Sequence, residues 1–288
     1  MLHDVVALLR CPHCGADLAA DPGGRALRCA AGRHTFDVAR QGYASLLAGD
    51  ARTGTADTAD MVAARDAFLQ AGHYKPIAEA LAAEAAALGG VPGAVVDVGA
   101  GTGHYLAQTL DAAPDRVGLA LDISKYALRR AAKAHPRAGA VVCDAWRPLP
   151  VRDAAAALVL NVFAPRNPAE LRRILHPGGA LAVVTPTAAH LAELVGTLGL
   201  LRVDDDKKTR LDAALAPHFV PDRAHRIGFT LALGHDDIAT VVGMGPSAWH
   251  TDPADLRTRI AALPDPLPVT AEVTLSLYAA REPRPPTA

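Results

Sequence analysis

Aromatic side chains, cysteines, net charge and long apolar runs are all scarce in this chain. Aromatics make up 4% of 288 residues while half of all residues are hydrophobic, so the core must be built from alanine, valine and leucine. No apolar run approaches the roughly eighteen residues of a membrane span, which predicts a protein with no membrane partner. Met1–Arg10 carries Asp4 among its apolar residues rather than a basic leader region, and the expected location is the cytoplasm. A formal net charge of −1 gives no overall field that would draw in nucleic acid, so such a partner must be met by local patches. The chain has only four cysteines, and their layout suits metal better than disulfides. Cys11, Cys14 and Cys29 crowd the first thirty residues and Cys143 stands alone in an apolar run, a layout that suits metal.

What remains is enough chain for one large domain with a small appendage. Residues 1–47 are dense in Cys, His, Gly and Arg, have few large apolar side chains, and need a staple to fold. Residues 48–90 are expected to hold a small, polar linker (49–60) and two alanine-rich helices, broken near Gly72 and Pro76. From residue 91 to 280, apolar runs alternate with helical stretches, the pattern of a parallel sheet with crossover helices. Strands are predicted at Ala94–Val98, Val117–Leu121, Ala140–Cys143, Ala156–Asn161, Leu181–Thr185, Arg226–Leu233 and Val269–Tyr278. Helices are predicted at His104–Ala113, Ser124–His135, Pro168–His176, Thr187–Leu200, Asp236–Met244 and Pro253–Leu263, with Ser124 as an N-cap and Gly178 as a stop. Residues 281–288 hold three prolines and read as a disordered tail. The expected fold is α/β: a Rossmann-like, mostly parallel seven-stranded sheet behind a small metal module.

The segment Val95-Val96-Asp97-Val98-Gly99-Ala100-Gly101-Thr102-Gly103 ends an apolar strand with a carboxylate and follows it with alternate glycines, so that backbone can approach a ligand closely. A dinucleotide site uses similar architecture, but its fingerprint calls for a third glycine where this chain has His104. S-adenosylmethionine (AdoMet) has no pyrophosphate and does carry an ammonium, which Asp97 is placed to hold. Asp122 closes the next strand, where a carboxylate accepts from ribose hydroxyls, and Asp144 closes the third, where the adenine amino group would lie. Gly99, Gly101, Thr102 and Gly103 complete the expected cofactor loop. The plainer alternative is that each acid only caps a helix.

Cys11-Pro12-His13-Cys14, a gap of fourteen residues, then Cys29 and His34 form a zinc pattern, the C-x₂-C knuckle supplying two corners of a tetrahedron. Three thiolates and an imidazole fill all four positions, so the zinc would be structural. His13 is the competing fourth ligand.

These residues, with Asp60-Met61-Val62-Ala63-Ala64-Arg65, Ala71-Gly72-His73-Tyr74, Leu121-Asp122-Ile123-Ser124-Lys125, Phe163-Ala164-Pro165 and His176-Pro177-Gly178-Gly179, resemble in order the RlmA-type 23S rRNA guanine-N1 methyltransferases. Leu160–Pro168 and Met244–His250 look most like the actinobacterial branch that confers resistance to tylosin-like macrolides. The likeness runs from Val5 to about Tyr278. It implies methyl transfer from AdoMet to N1 of a guanine in hairpin 35 of 23S rRNA. It further implies that Tyr74, Gly101, Thr102 and His190 contact AdoMet and that Cys11, Cys14, Cys29 and His34 hold zinc. In the family the spacing before the histidine is one residue shorter, a difference that a four-residue loop accommodates.

Asn161 and Phe163 follow the fourth predicted strand, where an amide and an aromatic can meet an acceptor base by hydrogen bonding and stacking; Phe163 reads equally as a core aromatic. No residue declares itself a general base, although His104 and His190 are available. Arg25, Arg28, Arg33 and Arg40 decorate the metal module, and Lys125, Arg129, Arg130, Lys133 and Arg137 fall in or just after one helix; either set could meet phosphates or form a solvated face. The metal module is the expected RNA reader, and the sequence leaves room for a homodimer. Two competing functions are a small-molecule methyltransferase of secondary metabolism and a zinc-ribbon binding protein with a vestigial cofactor fold.

Overall fold

The computed structural model describes residues 2–47, 56–200, 207–245 and 253–282. A short helix α1 (Leu2–Val5) and a 3₁₀ turn (Val6–Leu8) lead into four small strands, β1 (Leu18–Ala20), β2 (Ala26–Cys29), β3 (Thr35–Asp37) and β4 (Tyr43–Ser45). Helices α2 (Ala59–Gln70) and α3 (Lys75–Ala87) follow. The main domain then runs β5 (Ala94–Val98), α4 (His104–Ala112), β6 (Gly118–Asp122), α5 (Lys125–Ala134), β7 (Ala138–Val142) and β8 (Ala156–Val162). It continues with α6 (Pro168–Ile174), β9 (Leu175–Pro186), α7 (Ala192–Leu198), α8 (Lys207–Leu215), β10 (Phe219–Leu233), α9 (His235–Gly243), α10 (Pro253–Ala261) and β11 (Leu267–Ala280).

β1, β2 and β3 form an antiparallel meander. The large sheet has the order β10-β11-β9-β8-β5-β6-β7-β4; β4 to β9 pair in parallel, and β11 and β10 add antiparallel at the far edge. It therefore has the Rossmann-like mixed order expected, with one strand more than the seven anticipated. The eighth, β4, comes from the N-terminal region and pairs Tyr43–Ser45 with Ala140–Val142.

Two apolar clusters cover the two faces. One joins α2, α3, α4, α5, α7 and α9 to the sheet through residues such as Phe68, Ile77, Leu106, Leu128 and Val241. The other joins the N-terminal region, α6 and α8 to the opposite face through Val5, Leu9, Leu27, Val96, Leu171 and Phe219. Residues 2–47 thus borrow the sheet's core to compensate for the one they lack. α1 sits so close to β7 that a Cβ on Gly139 would lie 2.2 Å from Val5 Cγ2, and only glycine fits there. Leu9 bridges Val151, the Arg10 N–H donates to Pro150 O at 3.1 Å, and the Arg152 N–H donates to Leu8 O at 2.8 Å. The N-terminal region therefore grips the loop between β7 and β8.

Several boundaries shift. Thr58 caps α2, accepting from the Met61 N–H at 3.2 Å, so the helix begins inside the expected linker; residues 48–55 lie outside the described residues. α6 stops at Ile174 rather than at Gly178, because Leu175 already pairs with Ala156 and Gly178 lies within β9. Arg281, placed in the tail by sequence, is tied back by its N–H to His218 O at 2.9 Å; residues 283–288 are outside the described part. Among the described residues no helix is long and apolar enough to cross a membrane.

Candidate active site and metal centre

The four metal-ligand candidates converge. Cys11 Sγ lies 3.3 Å from His34 Nδ1 and Cys14 Sγ lies 3.4 Å from Cys29 Sγ, all four ligand atoms falling within 4.8 Å of one another. Zinc bonded at about 2.3 Å to sulfur and about 2.0 Å to nitrogen in a tetrahedron needs ligand edges of roughly 3.5–3.8 Å. The cluster fits that size. Backbone turns set it up: the Cys11 N–H donates to Ala16 O at 2.7 Å and the Cys29 N–H to His34 O at 3.0 Å, closing the knuckle and the longer C-x₄-H loop. His13, the competing ligand, stacks on Phe36 with ring centroids 5.8 Å apart. Burial pushes the Cys11 thiol up, whereas the Ala16 N–H and then the Cys29 thiol hold Cys14 down.

At the carboxyl ends of β5 to β8 lies a cavity of about 430 Å³. The chain runs outward from β5 through β6 to β7, then returns past β5 to β8, so the cavity sits at the topological switch point where open sheets bind ligands. Tyr74, Asp97, Gly99, Gly101, Thr102, Asp122, Asp144, Phe163 and His190 all line it, which brings together nearly every predicted site residue.

Asp97 is 1% exposed, and neither of its carboxylate oxygens has a hydrogen-bond partner among the described residues. Burial, and then the charge of Asp122, push its pKa up to about 8. An unpaired buried carboxylate is costly unless a cation arrives to meet it, so Asp97 fits the ammonium of AdoMet. Tyr105 also lines the cavity, and its buried hydroxyl has no hydrogen-bond partner among the described residues. Asp122 accepts from the N–H of Gly101 through Oδ2 and of Ser124 through Oδ1, both at 2.8 Å. These bonds orient the carboxylate and leave lone pairs for ribose hydroxyls. Burial raises its pKa, opposed by the same two N–H groups. Asp144 Oδ1 accepts from the Trp146 N–H at 2.9 Å.

The Tyr74 hydroxyl meets His190 Nε2 at 3.0 Å, and His190 Nδ1 accepts from the Glu272 N–H at 3.3 Å. The ring proton of neutral His190 therefore resides on Nε2, which donates to the tyrosine oxygen, so both ring nitrogens are engaged. Phe163 is held at φ +53°, a left-handed conformation unusual for an aromatic residue, and is 41% exposed. Its ring lies 6.1 Å from Tyr74 and 5.9 Å from His190.

Two expectations need correction. Asn161 does not line the cavity: it is fully buried, its Nδ2 donates to Val98 O at 3.1 Å and Pro165 O at 2.9 Å, and its Oδ1 accepts from Arg166 Nε at 2.9 Å. With its amide used internally, it has nothing to offer an acceptor base. Gly103 also stands outside the lining; a Cβ there would meet Ala131 Cα at 3.0 Å, so its smallness serves helix packing, not ligand approach.

Comparison with known proteins decides the family. Residues 9–52 match the zinc-ribbon N-terminal region of RlmA and residues 95–179 match a methyltransferase domain. The chain is 57% identical over 279 residues to the 23S rRNA (guanine(748)-N(1))-methyltransferase of Streptomyces fradiae, covering 96% of this chain and 98% of that one. The chain belongs to the 23S rRNA guanine-N1 methyltransferase family. A Micromonospora griseorubida protein provisionally named as a member is 56% identical over 96% of this chain and 98% of its own. A Bacillus subtilis (strain 168) counterpart, also provisionally named, is 29% identical over 84% of this chain and 87% of its own. The cavity thus lies in the matched methyltransferase domain, and the Cys₃His cluster lies in the matched zinc-ribbon region, its four ligand atoms close enough to hold one metal ion.

Sequence reading missed several groups that line this methyltransferase cavity: Asp57, Arg65, Tyr105 and Trp146. Trp146 is 67% exposed beside Asp144 at the cavity rim. His104 also lines it, and burial lowers its pKa, opposed by the charge of Asp66.

Proposed function

We propose that this chain transfers a methyl group from AdoMet to N1 of a guanine in hairpin 35 of 23S rRNA, at the position named for the Streptomyces fradiae relative, guanine 748. The observation that carries this reading is 57% identity across nearly the whole of both chains, ribbon and methyltransferase domain together. Work on ribosomal RNA sets the protein in the cytoplasm, and the outcome for the cell is lowered sensitivity to tylosin-like macrolides.

In this reading Asp97 receives the donor's ammonium, Asp122 the ribose hydroxyls and Asp144 the adenine amino group. Gly99, Gly101 and Thr102 supply close backbone approach, and the hydrogen-bonded Tyr74 and His190 contact the same ligand. A Cβ on Gly99 would stand 2.3 Å from Ala164 Cβ, so the loop's tightness also seats the turn that presents Phe163. Phe163 stacks the target guanine. Asn161 is a positioning residue, binding the Ala164–Pro165 turn to the end of β5.

The sulfonium methyl is already activated, so the protein contributes alignment and exclusion of water. The N1 lone pair forms the new N–C bond as the C–S bond breaks, its electrons remaining on sulfur as a neutral thioether, and the N1 proton leaves to water. N1 faces its partner in a paired helix, so the guanine must be unpaired or extruded first. Cys11, Cys14, Cys29 and His34 would hold zinc, which with four protein ligands would serve structure and staple the ribbon.

The test is incubation with methyl-labelled AdoMet and, in separate reactions, a hairpin-35 transcript, the same transcript with adenine at the target position, and total small metabolites. Label is expected in the first transcript alone. Label in both, or only in small metabolites, would reject the assignment.

A further inference from the structure

Four aspartates line the cavity, Asp57, Asp97, Asp122 and Asp144, against a single Lys or Arg among the described residues, Arg65. The roles assigned above leave that cation unused. Yet the amino-acid end of AdoMet carries a carboxylate as well as an ammonium, and nothing so far receives it.

Arg65 enters from α2 and lies over the glycine loop: a Cβ on Gly101 would stand 3.6 Å from its Cδ and 3.8 Å from its Nη1. Its charge is felt at Tyr105 and at Asp122. Nη2 donates to Met244 O at 2.9 Å, while Nη1 is paired with the Asp57 carboxylate. Asp57 is itself fixed at the site, its carbonyl accepting from Ser124 Oγ at 2.9 Å beside the N-cap of α5.

We infer that Arg65 receives the carboxylate of AdoMet's amino-acid end, and that Asp57 stands in for that carboxylate until the donor arrives. The inference rests on the AdoMet reading of the cavity and extends it. A guanidinium presents five N–H groups, so the bond to Met244 O survives an exchange of one carboxylate for another. Both are charge-assisted acceptors of the same shape, which makes them direct competitors. The buried, unpartnered Tyr105 hydroxyl is a second donor for the incoming group. Donor affinity is then a difference between two carboxylates contending for one guanidinium, and weakening the internal one tightens the external one.

Calorimetry with AdoMet and with decarboxylated AdoMet, which keeps the sulfonium and amine but lacks the carboxylate, tests this on the full zinc-loaded chain. The unaltered protein is expected to prefer AdoMet by about ten- to a hundredfold, the worth of a hydrogen-bonded ion pair. Arg65→Gln should erase that preference by weakening AdoMet alone, and Asp57→Asn should strengthen AdoMet several-fold without altering the decarboxylated ligand. Equal weakening of both ligands by Arg65→Gln makes Arg65 merely structural and overturns the inference. Weaker or unchanged AdoMet binding in Asp57→Asn removes the stand-in. If Arg65→Gln does not fold, Asp57→Asn decides by itself. Failure of either ligand to bind the unaltered protein would instead reject the methyl-donor reading beneath it.

Discussion

The zinc ribbon and the AdoMet cavity treat polar groups in opposite ways. In the ribbon, the ligand atoms of Cys11, Cys14, Cys29 and His34 face one another within 4.8 Å, with Cys11, Cys29 and His34 tied by backbone hydrogen bonds, so the region's chemistry is closed upon itself. At the cavity, the Asp97 carboxylate and the Tyr105 hydroxyl are buried and without partners among the described residues. The first arrangement substitutes for a core that 47 residues cannot build; the second stores an unmet demand that a ligand satisfies. The contrast separates groups whose ligand atoms meet one another from groups that face a cavity, which is what divides a folding role from a recognition role in the function proposed above. The two regions are nonetheless joined, because Leu9 and Arg10, adjoining the zinc knuckle, grip the loop whose near end carries Asp144 and Trp146.

The largest expected effect breaks the closed side. Cys14→Ser should release zinc, whose binding in such sites is worth on the order of 10 kcal/mol of folding energy, and residues 1–47 should lose protection in hydrogen exchange. Through the Leu9–Val151 bridge, AdoMet affinity should also fall several-fold. Metal analysis, exchange and calorimetry on one preparation check this. Unchanged AdoMet affinity beside a molten ribbon would show that the two regions are energetically independent.

On the open side, Asp97→Asn should weaken AdoMet by about ten- to a hundredfold, the scale of a charge-assisted bond. It should also change how stability depends on pH. The folded pKa of Asp97 is about 8, above an unfolded value near 3.8, so between those limits the native state binds more protons than the unfolded state. Stability of the ligand-free enzyme should then fall as pH rises from about 4 through 8 on this group's account, and the asparagine variant should lack that part of the slope. Denaturant titrations across the window measure it; equal slopes would mean that Asp97 is already paired in the free protein.

A smaller effect probes the contact between the glycine loop and the acceptor side. Gly99 has φ +80° and a Cβ there would stand 2.3 Å from Ala164 Cβ. Gly99→Ala should cost roughly 1–3 kcal/mol through strain and overpacking, lowering the melting temperature by several degrees. It should slow methylation more than it weakens AdoMet, because the displaced turn carries Phe163. A loss confined to AdoMet affinity would place the glycine's role wholly on the donor side.

How much of this was legible in the sequence follows the same division. The ribbon ligands are written as a local spacing, and the buried parallel strands are written as continuous apolar runs, so both could be read directly. β4 could not: three residues of mixed burial carry no periodicity, and only pairing with β7 makes Tyr43–Ser45 a strand. The first half of β10 was missed because Val220–Arg226 is exposed throughout and lacks alternation. Asp97, Asp122 and Asp144 stand at or just past the ends of apolar runs, so sequence could place them together at the cavity. Arg65 and Asp57 do not, since they reach the loop from a helix and its approach some 35 residues upstream. Asn161 had the right position for an acceptor contact, but sequence could not reveal that Val98, Pro165 and Arg166 consume its amide.

The smallest expected effect concerns which cations meet RNA. Arg25, Arg28, Arg33 and Arg40 are exposed on the ribbon, and Lys125, Arg129 and Lys133 are exposed on α5. Arg130 pairs with Asp66 at 2.9 Å, and Arg137 Nη1 donates to Ala113 O at 2.8 Å, so those two are engaged within the fold. The ribbon's Ala39–Gly42 turn packs toward Ala132 of α5, where a Cβ on Gly42 would lie 3.7 Å from the alanine methyl, so the two basic regions adjoin at the sheet edge. Lys125 and Arg129 flank the exposed ring of Tyr126 at 5.3 and 5.4 Å, leaving a cationic face with an aromatic at its centre. If RNA spans both regions, the double change Lys125→Ala and Arg129→Ala should weaken transcript binding a few-fold at moderate salt. It should also reduce the slope of log K against log salt by about 0.7–0.9 for each phosphate left without its cation, with AdoMet affinity unaffected. A slope that falls only when the ribbon arginines are replaced would confine RNA reading to the zinc side and leave α5 a solvated face.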